Sequence, residues 1–217
     1  MTIRILLVDD HKITRDGLRA MFEKLSDMEV VGEAESGREA VRLTRELKPA
    51  VIIMDISMPD LNGIDATRQI LAESPKIKVL ALSMYSDRRY VIGMLKAGVS
   101  GYLLKSCAFD ELANAVNAVV KNQSYISPQI ADTVMQDYTR KLTIDDTSTV
   151  SALTPREREV LQLIAEGLTS SQIASRLFVS EKTVSTHRRQ IMEKLNIYSI
   201  AELTKYALKE GLTSLES

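Results

Sequence analysis

Apolar positions in the first half of this chain come in short unbroken runs, and each run ends on a charge. Ile5-Leu6-Leu7-Val8 runs into Asp9-Asp10, Ala50-Val51-Ile52-Ile53-Met54 stops at Asp55, and Gly101-Tyr102-Leu103-Leu104 stops at Lys105. Runs without alternation are strands buried on both faces, as in a parallel sheet covered by helices on either side. Five strands follow, over Ile3–Val8, Glu29–Ala34, Ala50–Asp55, Ile77–Leu82 and Gly101–Leu104. Helical spacing fills the gaps. Leu18, Met21, Phe22 and Leu25 share one face of a helix over Arg15–Leu25, and Ser36-Gly37-Arg38-Glu39 has the form of a capping box. Further helices are expected near Asn62–Ala72, Asp87–Ala97 and Phe109–Lys121. The repeat predicts a doubly wound α/β domain with a five-stranded parallel sheet over residues 1–125.

The pattern changes after Tyr125. Residues 126–150 read as a linker that holds one helix (Pro128–Tyr138) and then a polar tail from Thr143 to Thr149. Residues 151–217 carry helical periodicity only, predicting an all-α four-helix domain. Thr154-Pro155-Arg156-Glu157 supplies a threonine cap, a proline at the first helical position and a glutamate at the third, and Gly167 closes that helix. A short helix over Ser170–Leu177, a longer one capped by Ser180 and running to Leu195, and a last one over Ile200–Lys209 complete the set. Two helices joined by a tight turn, the second capped by serine, suggest a helix-turn-helix.

Bulk composition adds exclusions. With 217 residues, 45% hydrophobic and 26% charged, the chain is globular rather than disordered. A formal net charge of -1 carries no signature of a nucleic-acid partner. A single cysteine, Cys107, permits no internal disulfide, which suits a reducing compartment. His11 and His187 lie far apart with no cysteine cluster, so a zinc site is not expected. No apolar stretch approaches a membrane span. Asp9 and Asp10 fall where a signal peptide would need its hydrophobic region, so a cytoplasmic location is expected.

The strand ends carry the candidate chemistry. In a parallel sheet the carboxyl ends lie side by side and ligands bind there. Asp9, Asp10 and Asp55 would then converge with Lys105. Clustered carboxylates repel one another, a divalent cation relieves the repulsion, and Mg2+ takes oxygen ligands. Asp55, ending the central strand, is the candidate nucleophile toward a phosphoryl group. Asp9 and Asp10 would hold the metal, Lys105 would pair with phosphoryl oxygens, and the Ser83 hydroxyl would point into the same edge. Solvated loops also place acidic residues at strand ends. Four matched polar ends among five strands make that a weaker account.

On the helix from Glu181 to Leu195, successive residues turn by about 100°. Val184, Ile191 and Leu195 fall together as the core face, with His187 and Arg188 on its flanks, while Lys182, Ser185, Thr186, Arg189 and Glu193 fall opposite. Arg189 can bond guanine edges bidentately and Ser185 and Thr186 can serve several bases. Lys182, Thr183, Arg188 and Lys194 are placed for phosphates. Against this, exposed helices commonly carry mixed polar faces. Residues 151–217 hold nine Lys and Arg against eight Asp and Glu, so the domain is barely basic.

Residues Ile3 to about Lys121 resemble the receiver domain of bacterial two-component response regulators. The match rests on Asp9-Asp10, on Asp55 followed by Met58-Pro59-Asp60-Leu61-Asn62-Gly63, and on Ser83, Tyr102 and Lys105. The segments Leu153–Leu161, Ile173–Leu177 and Val179–His187 resemble the LuxR-type DNA-binding domain of NarL/FixJ-type regulators. The two likenesses cover all but the linker and the ends.

The resemblance implies a flavodoxin-like receiver with strand order 2-1-3-4-5. It implies phosphorylation of Asp55 by a sensor histidine kinase. It also implies Mg2+ held by Asp10, Asp55 and the Ser57 backbone carbonyl with Asp9 assisting, and Ser83 with Tyr102 as a switch pair in which the ring turns inward. For the second domain it implies base contacts from Ser185, Thr186 and Arg189 to double-stranded DNA, and a homodimer contact on the last helix. No turnover is implied beyond self-phosphorylation and slow autodephosphorylation. Where many receivers have a cis proline after the lysine, this chain has Ser106, and a cis bond is disfavoured there. The rival readings are an aspartyl-phosphate phosphatase, which often has a second aspartate where Ser57 stands, and a DNA-binding dimer indifferent to phosphorylation.

Overall fold

A computed structural model describes residues 2–143 and 153–213, which fall into two compact units, Met1–Ile144 and Asp145–Ser217. The first unit runs β1 (Ile3–Val8), α1 (Lys12–Phe22), β2 (Met28–Ala34), α2 (Gly37–Leu47), β3 (Val51–Met54), α3 (Gly63–Glu73), β4 (Lys78–Ser83), α4 (Arg88–Ala97), β5 (Gly101–Leu104), α5 (Phe109–Val120), β6 (Tyr125–Ile126) and α6 (Pro128–Thr143). The strands form one sheet in the order β2-β1-β3-β4-β5-β6, all parallel.

Side chains alternate across this sheet, as the pleat requires. Leu6, Val8, Ile52, Met54, Val79, Ala81 and Tyr102 pack on one side with residues of α2, α3 and α4. Ile5, Leu7, Val51, Ile53, Leu80, Leu82 and Leu103 pack on the other with Phe22 of α1 and Leu112, Ala115, Val116 and Val119 of α5. Both faces are buried, which is why the sequence shows solid apolar runs.

Three expectations need correction. The sheet has six strands, not five: Tyr125 pairs with Gly101 and Ile126 with Tyr102. A two-residue strand has no periodicity to read; it forms because the Tyr125 and Ser127 amides donate to the carbonyls of Ser100 and Tyr102. The helix expected over Arg15–Leu25 begins at Lys12, one turn earlier, and ends at Phe22. His11 at its N-cap makes no side-chain cap bond, so the usual start signal is missing. The helix expected over Pro128–Tyr138 is longer. Helix α6 runs on to Thr143, Ile130 is fully buried in the α4 side of the core, and the Asp137 carboxylate pairs with the Arg88 guanidinium of α4. The polar tail after Thr143 lies outside the described residues. The peptide after Lys105 is trans, and no cis bond occurs among the described residues.

The second unit comprises α7 (Pro155–Ala165), α8 (Ser170–Leu177), α9 (Glu181–Leu195) and α10 (Ile200–Lys209). Thr154 and Glu157 form a complete capping box on α7, Thr169 and Gln172 another on α8, and Ser180 accepts from the Thr183 amide to start α9. Val160, Leu161, Leu163, Ile173, Val184, Ile191, Leu203 and Ala207 make the core. The Arg156 guanidinium donates to the Leu177 carbonyl at 2.8 Å, tying α7 to the end of α8.

Candidate functional site

Strand register brings the charged ends together. Val8 pairs with Met54 and Ser83 with Leu104, so Asp9, Asp55 and Lys105 each sit one step past a paired strand end. The Asp55 amide donates to the Val8 carbonyl and the Lys105 amide to the Ser83 carbonyl, both at 2.8 Å. The Lys105 ammonium then lies 2.7 Å from Asp9 Oδ2 and 3.1 Å from Asp55 Oδ2. Asp55 Oδ1 accepts from the Ile56 amide at 2.8 Å. Ligand atoms from Asp9, Asp10, His11 and Asp55 all lie within 4.8 Å of one another.

Burial dominates the electrostatics. It pushes the Asp55 carboxyl up to about 6; the nearby Lys105 ammonium pulls the other way and the Asp9 charge adds to the push. Burial alone would lower Lys105, but the two carboxylates outweigh it and hold the ammonium above its ordinary range.

The loop after β3 is fixed by contacts of its own. The Gly63 amide donates to the Ile56 carbonyl at 2.8 Å, Asn62 caps α3, and Arg38 pairs with Asp60 at 3.0 Å. Ser57 is half-buried in this loop, two residues past Asp55. Ser83 is fully buried, and its hydroxyl accepts from the Tyr85 amide at 3.1 Å. Tyr102 is also fully buried. Its hydroxyl donates to the Tyr85 carbonyl at 2.6 Å. The ring is therefore inward, and burial raises the phenol well above its ordinary range.

On α9, Val184 and Ile191 are buried while Lys182, Ser185 and Arg189 are exposed, with Thr183, Thr186 and Arg188 between the two extremes. Arg189 reaches Glu193 only loosely, at 3.9 Å. Such an exposed pair contributes little and leaves the guanidinium available. Thr183 joins the Ser180 cap, and the Thr186 hydroxyl donates to the Lys182 carbonyl, keeping its acceptor lone pairs free.

Comparison with known proteins settles the family. The family described as "Response regulator receiver domain" matches residues 5–117, and "Bacterial regulatory proteins, luxR family" matches residues 151–207. The chain belongs to the LuxR-type response regulators. It is 36% identical to the transcriptional regulatory protein DegU of Brevibacillus brevis, over 96% of this chain and 94% of that one. It is 39% identical to the oxygen regulatory protein NreC of Staphylococcus carnosus, over 97% and 99%. Among solved structures, a two-component response regulator RcsB–DNA complex matches with a TM-score of 0.61 at 28% identity, covering 97% of this chain and 99% of that chain.

Two features of this response regulator escape a reading of its sequence. His11 joins the acidic cluster, with Nδ1 2.8 Å from Asp10 Oδ1 and 3.3 Å from Asp9 Oδ1. Its place directly after Asp9-Asp10 is the available signal. Lys194, expected at a phosphate, is instead bonded to the buried Glu157 carboxylate at 2.7 Å, linking α9 to α7. Burial alone would raise Glu157, but the Lys194 bond and the Thr154 amide hold it below its ordinary range. That bond ties Lys194 to the fold of the second unit.

The acidic pocket suits a hard divalent cation. All its carboxylate ligands are oxygen donors, and the buried Asp10 Oδ1 has no aligned hydrogen-bond donor despite the nearness of His11. A bare buried carboxylate oxygen is costly unless a proton or a cation meets it. Among the described residues no helix is long and apolar enough to cross a membrane.

Proposed function

We propose that this response regulator is a cytoplasmic, DNA-binding transcription regulator switched by phosphorylation of Asp55, with a sensor histidine kinase as donor. The observation that carries the reading is the Lys105 ammonium lying between the Asp9 and Asp55 carboxylates at the carboxyl edge of a parallel sheet, in a chain that also holds a helix-turn-helix. An Asp55 oxygen attacks phosphorus while the donor's leaving group departs, and water later cleaves the acyl phosphate. Asp10, Asp55 and the Ser57 carbonyl would hold Mg2+, with Asp9 assisting. When bound, Mg2+ supplies charge stabilisation at the phosphoryl oxygens. Lys105 gives the same oxygens a fixed positive charge. The chain turns over no substrate beyond its own phosphorylation and slow dephosphorylation.

Tyr85 joins the two members of the switch pair. Its amide holds Ser83 and its carbonyl holds Tyr102. Movement of the Ser83 hydroxyl toward a phosphoryl oxygen breaks the first bond and so disturbs the second, which shifts a two-state equilibrium around α4 and β5. The phosphorylated state favours a homodimer, and two recognition helices then engage two half-sites.

DNA binding by the full chain, with and without acetyl phosphate and Mg2+, tests the reading. Phosphodonor is expected to strengthen binding to the target promoter, and an unchanged affinity would sink the switch. In the same assay Arg189→Ala is expected to cost about tenfold to a hundredfold in specific affinity and to relax base preference at one position. Lys182→Ala should weaken all sequences alike and flatten the salt dependence.

Lys105→Ala is expected to move two measurements in opposite directions. Mg2+ should bind roughly tenfold more tightly, because a competing charge has gone. Phosphoryl uptake should slow by roughly a hundredfold, because the oxygens lose their fixed cation. A parallel fall in both would mean that Lys105 only holds the pocket in shape.

A further inference from the structure

A buried guanidinium braces the acidic pocket from behind. Arg15 lies on α1, and its side chain is nearly enclosed. Its Nη1 donates to the Asp9 backbone carbonyl at 2.6 Å, and its Nε donates to Glu33 Oε2 of β2 at 3.2 Å. The other Glu33 oxygen accepts from Arg19 Nε. Burial alone would raise Glu33, but the bonds from Arg19 and Arg15 hold it ionised below its ordinary range. On the opposite side of the same residue, the Asp9 amide donates to the Ala34 carbonyl at 3.1 Å.

The Asp9 carbonyl belongs to the peptide plane that Asp9 shares with Asp10. Fixing that oxygen fixes the plane, and the plane sets where the Asp10 α-carbon and carboxylate stand. Asp10 Oδ1 has His11 Nδ1 2.8 Å away, but among the described residues no hydrogen-bond donor is aligned on it. We propose that Arg15 is a positioning residue for the cation site, pinning the Asp9–Asp10 peptide through the Asp9 carbonyl, with Glu33 orienting the guanidinium and cancelling its charge. The Glu33 carboxylate matters twice: it fixes the donor, and it keeps an otherwise bare positive charge from repelling a divalent ion. The proposal rests on reading the pocket as a Mg2+ site.

Geometry and charge predict opposite signs, so the test is sharp. The probe is MgCl2 alone, titrated calorimetrically into the full-length protein without phosphodonor, with circular dichroism and thermal unfolding run beside it. Arg15→Gln removes a positive charge, which by electrostatics alone would tighten Mg2+ binding. If positioning dominates, its Kd instead rises by about tenfold to a hundredfold, the usual loss when an outer partner of a ligand is removed. Arg15→Lys keeps the charge but lacks the planar fork that serves two acceptors, and is expected to recover binding only in part. Glu33→Gln should weaken binding as well. Arg19→Gln, which touches Glu33 but not Asp9, should leave the Kd near that of the parent protein even if unfolding shifts. An unchanged or tighter Kd in a folded Arg15→Gln protein overturns the proposal while leaving the pocket's assignment intact. If Arg15→Gln fails to fold, full affinity in Arg15→Lys overturns it instead. A parent protein that binds no Mg2+ overturns both.

Discussion

Asp55→Asn is expected to abolish phosphoryl uptake from acetyl phosphate while leaving the protein folded and at least as stable as its parent. The substitution keeps the shape of the side chain and removes the nucleophilic carboxylate. Its amide oxygen can still accept from the Ile56 amide, as Asp55 Oδ1 does at 2.8 Å. The new NH2 group would face the Lys105 ammonium, which now bonds Asp55 Oδ2 at 3.1 Å, and that contact is lost. In return a buried charge disappears, and burial is the main reason the Asp55 carboxyl is pushed up to about 6. An acid whose folded-state value is raised opposes folding when ionised, so taking that charge away at neutral pH removes a penalty. Intact mass measured after incubation with donor and Mg2+ checks the first half, and thermal unfolding the second. Full phosphoryl incorporation in the variant would place the acceptor elsewhere, with Asp9 and Asp10 the nearest candidates.

Gly63→Ala is expected to be the most damaging single methyl in the first unit. A Cβ at Gly63 would stand 1.9 Å from the Asp55 carbonyl oxygen and 3.0 Å from the Ile56 α-carbon. These are backbone atoms, with no flexible end to swing aside. The loop after β3 must shift, carrying the Asp55 carbonyl and the residues that follow it. Overpacking of this kind costs about 3 kcal/mol. In a unit of this size that lowers Tm by roughly 10 °C. Phosphoryl uptake should fall with it even below the melting range, because Asp55 no longer stands at its distance from Lys105. Gly17→Ala is the matched control. Gly17 lies within α1 with nothing within 4 Å of its would-be Cβ. There alanine is expected to stabilise by about 0.5–1 kcal/mol. Equal melting temperatures for the two variants would show that the Gly63 contact can relax.

What can be read from the sequence follows the range of the interactions. The apolar runs name β1, β3, β4 and β5, because burial on both faces is written into consecutive residues. The same solidity hides which residues face which helical layer, since no alternation survives to report it. Asp9, Asp55 and Lys105 are legible as strand ends, and they lie within bonding distance of one another. The bond from Arg15 to the Asp9 carbonyl is not legible, because it depends on where α1 begins, and His11 gives no capping signal there. Lys194 shows a second limit of the same kind. Its position on the helical wheel is compatible with a phosphate contact, but its partner Glu157 is 37 residues away along the chain and reaches it only in the folded unit. Local pattern cannot report a pairing of that kind.

The small strand β6 has a further meaning for how the first unit keeps to itself. Without it, Gly101–Leu104 would border the sheet with a row of unsatisfied amides and carbonyls, a template on which a neighbouring molecule could zip. Two residues occupy that border, Ile130 from α6 anchors the segment in the core, and what remains exposed is too short to recruit a foreign strand. Fragments cut ahead of Tyr125 strip this guard away, so clumping by such pieces would reflect a torn margin rather than the behaviour of the intact regulator.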